Sequence, residues 1–293
     1  MPVILGGNTS IYLASLTPPA PVSFLLDDYP GAAAAYSLRK LRSAYSGNCI
    51  RVRRSSDDLE QDIGFISNVL DTASLLTFCG AGDGFVTRIY DQSGVNNYAG
   101  QSTLFRQPLI VSSGAVITRN SKPSMLLFAV STERFLEELL TSTIATVSHS
   151  AFILRAPDFS ASTFGSSGLS STSSTNQYES IASSSTNIIG AFRNGGVENL
   201  ITGLAYTNNQ LYIISRHTTG TSNRLLAVNN TNTYTSATTL ASFNATYILL
   251  NRVRRSDVAT GRGYISEYVL FNSDQTSNRT GIETNMNAFY STY

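Results

Sequence analysis

Two arginine clusters, Arg51-Val52-Arg53-Arg54 and Arg252-Val253-Arg254-Arg255, concentrate cationic chemistry in a chain otherwise poor in charge. A guanidinium binds a carboxylate or phosphate through two parallel hydrogen bonds, so either cluster is a candidate grip on an acidic glycan. The competing reading is a strand whose alternate residues form its wet face. The acidic run Asp57, Asp58, Glu60 and Asp62 favours that reading, because it can pair with Arg51, Arg53 or Arg54. As a calcium loop the run lacks alternating ligands and a central glycine. His149 and His217 are too few and too separated to suggest a zinc site or a catalytic triad. Gly80-Ala81-Gly82-Asp83-Gly84 follows a predicted helix and opens a strand, the reverse of a dinucleotide loop. Cys49 and Cys79 read as two buried thiols. No cofactor and no metal are expected.

The elements that position these groups are mostly strands. Only 13% of the 293 residues are charged, and Ser, Thr and Asn supply the polarity. Such side chains compete with helix backbone bonds and suit strands and turns. A formal charge of +1 makes no case for nucleic acid as a partner. No apolar run approaches a membrane span, and Met1–Gly7 lacks the basic start of a signal peptide.

Residues 1–30 read as an extended arm, apolar and punctuated by Pro18, Pro19 and Pro21. Tyr36, Leu38, Leu41 and Tyr45 recur at helical spacing, which predicts a helix over 32–45. Asp71 is a plausible cap for a helix through Phe78, and Ser277 for one ending near Tyr290. Cys49–Arg54 and Phe85–Tyr90 read as strands, and Asp91-Gln92-Ser93-Gly94 as a turn in which Asp91 accepts backbone amides. About ten short strands follow residue 105, including Ser150–Leu154, Tyr178–Ala182, Gln210–Ser215 and Gly263–Phe271. Ser160–Thr175, nearly all Ser, Thr and Gly, is expected to be a loop. The fold class is all-β, a concanavalin-A-like sandwich or jelly roll over 31–293, with a few short helices and the N-terminal arm.

The block Thr77–Gly94, TFCGAGDGFVTRIYDQSG, resembles the catalytic domain of the fungal α-L-arabinofuranosidase B family, and the likeness extends over roughly 33–95. That resemblance implies a retaining glycosidase, with Glu179 in Gln177-Tyr178-Glu179-Ser180-Ile181 at the nucleophile position and Asp257 near the acid/base position. It also implies carbohydrate contacts at Tyr90, Asp91 and Gln92, set against the turn-stabilising role of Asp91. Three departures stand out. No vicinal cysteine pair precedes Glu179, Gly84 replaces the expected partner of Cys79, and the approach to the acid is Arg252-Val253-Arg254-Arg255. Trp is absent from the chain.

The same block also looks like one carried by bacteriophage tail- and spike-associated proteins with a lectin-like sandwich. On that resemblance the first expectation is a virion structural module made in the host cytoplasm. Its partners would be other virion proteins and copies of itself, with cell-surface polysaccharide as a further ligand. An arabinofuranosidase B-type hydrolase is the alternative.

Overall fold

A computed structural model describes residues 23–127, 134–158, 165–171, 177–184, 186–195, 197–253, 259–260 and 263–293. The strands used below are β1 (Ala32–Ser37), β2 (Ile50–Arg54), β3 (Glu60–Ile63), β4 (Gly84–Ile89), β5 (Ala99–Gly100), β6 (Leu109–Ser112) and β7 (Met125–Leu126). They continue with β8 (Leu136–Ala145), β9 (Ser148–Pro157), β10 (Gly165–Ser170), β11 (Gln177–Ser183), β12 (Asn187–Asn194) and β13 (Val197–Ala205). The last are β14 (Tyr212–Thr219), β15 (Asn223–Val228), β16 (Asn232–Ser236), β17 (Asn244–Leu250) and β18 (Gly263–Phe271). Three helices are α1 (Leu25–Asp28), α2 (Thr72–Cys79) and α3 (Arg279–Tyr290).

Antiparallel pairing makes two layers. The front layer runs β13-β12-β11-β10-β17-β8, and the back layer β16-β15-β14-β9-β18-β1. A wall of β5, β4, β6 and β7 joins β8 to β18 and closes one side. Between the layers pack Leu169, Ile181, Phe192 and Ile248 from the front and Ile153, Ile214, Leu226 and Leu270 from the back. The outer face of the back layer carries Phe152, Leu154, Ile213 and Val269, covered by Ile282, Met286 and Tyr290 of α3. This is a β-sandwich, as the density of short strands predicts.

Four expectations change. Of the helix predicted over 32–45, residues 32–37 form β1, paired with β18 from Ala32↔Phe271 to Ser37↔Glu267, and residues 38–45 hold no helix. Ala34 and Tyr36 face the inter-layer core while Ala32 and Ala35 face α3, so both sides are apolar and the period-two signal vanishes. Part of the expected arm folds back: Leu25 and Leu26 are buried beside α3, each burial worth about 1.5–3 kcal/mol. The arm residues Ile11, Leu13 and Leu16 lie outside the described residues. Within the expected loop 160–175, Gly165–Ser170 is a strand held between β11 and β17. β8, β13 and β16 are further strands that the sequence pattern did not single out.

A buried polar knot ties β1 to β18 under α3. Arg39 donates to Glu267 through Nε at 2.8 Å and a terminal nitrogen at 3.0 Å, and Ser37 Oγ adds a bond at 2.7 Å. Arg39 is 3% exposed and Glu267 fully buried. Removing one partner strands the other charge away from water. Glu267→Ala is therefore expected to lower the unfolding free energy by about 3–5 kcal/mol in urea denaturation. A loss below 1 kcal/mol would show that water reaches Arg39.

Candidate active site

The segment Asp71–Gly94 folds as its local chemistry dictates. Asp71 caps α2 by accepting from the Ser74 amide at 3.0 Å. Gly80, just past α2, has φ of 60°, which favours glycine. Gly84 lies against Cys79: a Cβ built there would stand 2.6 Å from Cys79 Sγ. Both cysteines of this chain are free and buried.

Beyond β4, Asp91 organises the turn. Its carboxylate accepts from the amides of Ala35 at 2.8 Å, Ser93 at 2.9 Å and Asn97 at 2.9 Å. Gln92 is fully buried, takes the Leu41 amide at 2.7 Å and donates to the carbonyls of Ser37 and Arg39. Tyr90 donates to Asp62 at 2.8 Å. The polar atoms of Asp91 and Gln92 brace backbone, which supports the turn-stabilising reading of Asp91. The arginine cluster is likewise engaged by the acidic run. Arg51 pairs with Glu60 and Asp62, Arg53 with Asp58 and Arg54 with Asp57.

Glu179 occupies the middle of β11, where Glu179↔Phe192 and Glu179↔Leu169 pairing turns its side chain toward the inter-layer core. It is 1% exposed. Three residues of the back layer meet it. Thr218 Oγ1 donates at 2.5 Å, Arg216 forms an ion pair, and His149 Nε2 stands 3.1 Å away. The register of β9 and β14, His149↔Thr218 and Ala151↔Arg216, brings these partners together. A void of about 10 Å³ adjoins the carboxylate, walled in part by the small residues Ser167, Gly168 and Ser180.

Burial, reinforced by Arg216 and Arg224, pushes His149 down to about 3. Arg216 already balances Glu179, so a proton on His149 would add an uncompensated interior charge. His217, also pushed down to about 3 by burial, bonds Ser150 Oγ at 2.8 Å and Ser215 Oγ at 3.1 Å. The two histidines lie on opposite faces of the back layer, His149 against Glu179 between the layers and His217 beside Phe152 on the face that α3 covers. His149, Arg216 and Thr218 were absent from the sequence-based site. The available signal was a charged or imidazole side chain inside otherwise apolar strand runs. Asp257 lies outside the described residues. Among the described residues no group of three His, Cys, Asp or Glu side chains has metal-binding geometry.

The sequence profile for "Alpha-L-arabinofuranosidase B, catalytic" matches residues 26–111. Two curated relatives, a probable α-L-arabinofuranosidase B of Aspergillus flavus and the α-L-arabinofuranosidase B of Aspergillus oryzae, are each 36% identical over 110 residues. That alignment takes in 34% of this chain and 22% of each relative. A GH54 α-L-arabinofuranosidase soaked with a cyclic sulfate inhibitor superposes with a TM-score of 0.69 at 16% identity, over 87% of this chain and 62% of the other. An arabinofuranosidase complexed with arabinofuranosyl-α-1,2-xylobiose gives 0.67 over the same shares, also at 16% identity. The botulinum neurotoxin serotype G binding domain shares the fold more loosely, at 0.53 and 11% identity, over 68% of this chain and 49% of that one. The expectation of a virion structural module is overturned by these findings: the profile and both curated relatives are arabinofuranosidases, and the fold is that of GH54 enzymes.

Proposed function

We propose that this chain carries a glycoside hydrolase domain of the arabinofuranosidase B type, which removes terminal α-L-arabinofuranosyl groups from a neutral polysaccharide. One coincidence carries the reading. The local match at 26–111 and the fold overlay across 87% of the chain point to the same enzyme class at very different levels of sequence identity. Glu179 is the proposed nucleophile and Asp257 the proposed acid/base.

In a retaining mechanism the Glu179 carboxylate attacks the anomeric carbon while the acid protonates the departing oxygen. Water then displaces the ester, giving its proton to the same residue acting as base, and Glu179 is released. Thr218 and Arg216 are suited to hold that carboxylate ionised and oriented, since hydrogen bonds and a cation both favour its charged form. The enclosure of Glu179 places a definite demand on this reading. A void of about 10 Å³ does not admit a furanose ring, so on this reading the walls around Glu179 must move apart when the sugar enters.

The direct test is arabinose release from 4-nitrophenyl α-L-arabinofuranoside and from arabinoxylan, with the first-formed anomer followed by NMR. Release with retained configuration is expected. Absence of release from both substrates between pH 4 and 8, or an inverted product, would overturn the proposal.

A further inference from the structure

An open cleft of about 390 Å³ follows the seam where β4 and β5 meet β8, apart from the Glu179 interior. Arg51, Arg88, Gln101, Glu137 and Glu138 line it, and Tyr98 stands there 38% exposed. The Arg88 guanidinium lies 4.0 Å from the Tyr98 ring centroid and steadies the ring. Tyr90 packs against the same ring in a tilted arrangement at 6.5 Å. The cleft therefore presents an aromatic surface held in place beside planar amide, carboxyl and guanidinium groups.

We infer that this cleft is a second, non-catalytic binding site for a neutral polysaccharide chain. The inference rests on the hydrolase reading for its substrate class and on the cleft's own chemistry for its location. A sugar ring offers a C–H face, which packs on an aromatic side chain, and adjacent hydroxyls, which pair with planar polar groups. Arg51 is engaged by Glu60 at 2.6 Å and Asp62 at 3.2 Å, Arg252 stands 4.0 Å from Glu137, and Arg88 acts on Glu138, so the cations and carboxyls around the cleft largely offset one another. That balance offers an acidic chain no net attraction and suits a neutral one. Burial, with a smaller push from Asp91 against the pull of Arg88, raises Glu138 to about 7. Near neutral pH its carboxyl thus exists in part as a form that donates as well as accepts, which matches a hydroxyl.

The test is affinity electrophoresis of the full chain in gels containing arabinoxylan or, separately, polygalacturonate, alongside turnover of the aryl arabinofuranoside. Retardation by arabinoxylan and not by polygalacturonate is expected. Tyr98→Ala and Arg88→Ala should weaken retardation roughly three- to tenfold while aryl turnover stays unchanged. Glu138→Gln, which keeps a neutral donor and acceptor, should still bind. Variants that bind arabinoxylan as well as the parent, a parent that arabinoxylan does not retard, or retardation by polygalacturonate alone would overturn the cleft assignment. Unchanged aryl turnover in that case would leave the hydrolase reading standing; its loss with cleft-dependent binding intact would have the opposite meaning.

Discussion

Glu179→Gln is expected to lower arabinose release from an aryl α-L-arabinofuranoside by about 10⁴-fold or more, since it removes the attacking charge while keeping the side chain's shape. The same change leaves Arg216 without its anionic partner in the interior, a loss that by itself reaches about 3–5 kcal/mol of stability. Activity per folded molecule must therefore be measured, with near-ultraviolet circular dichroism reporting the folded fraction. A second variant separates chemistry from packing. In Glu179→Ala, azide can take the nucleophile's place: its nitrogen bonds to the anomeric carbon as aryl oxide leaves. Recovery of turnover with formation of an arabinosyl azide is expected if Glu179 attacks the sugar. A folded Glu179→Gln chain with full activity would reduce Glu179 to an ion-pair acceptor between the layers.

Acid should unfold this protein in a specific way. His149 and His217 are both held near a pKa of about 3, whereas an unfolded histidine titrates near 6.5. Between those limits the unfolded chain holds one more proton per histidine than the folded chain, so stability falls as pH falls. Their stabilising contribution is complete above about pH 6.5 and is lost progressively down to about pH 3. Each histidine loses about 1.4 kcal/mol per pH unit, so the pair forfeits about 4 kcal/mol at pH 5 and about 7 kcal/mol at pH 4. Urea midpoints measured from pH 7 to pH 4 should show this decline. The double variant His149→Gln, His217→Gln should start less stable yet decline far less steeply. An equally steep decline in that variant would assign the acid sensitivity to carboxylates instead.

Features set by neighbours in sequence were legible from sequence. Asp71 caps α2, Asp91 accepts the Ser93 amide, and Arg51, Arg53 and Arg54 meet acids within about a dozen positions, because each interaction closes over a short loop. The strand alternation of Ile50–Arg54 and the apolar run of β18 likewise announced a sandwich. Tertiary structure decided the rest, wherever a residue's meaning came from a distant strand. Ala32–Ser37 carries helix-favouring alanines and helical spacing, yet pairing with Glu267–Phe271 and burial on both faces make it a strand. Gly165–Ser170 shows no apolar pattern, and its strand exists because β11 and β17 supply hydrogen bonds on both sides. The resemblance could place Glu179 in a strand but could not say which face it occupied. In a period-two element a one-residue difference in register exchanges core for surface. The pairing of β11 with β10 and β12 settled that choice and set Glu179 against Arg216, His149 and Thr218 from the opposite layer.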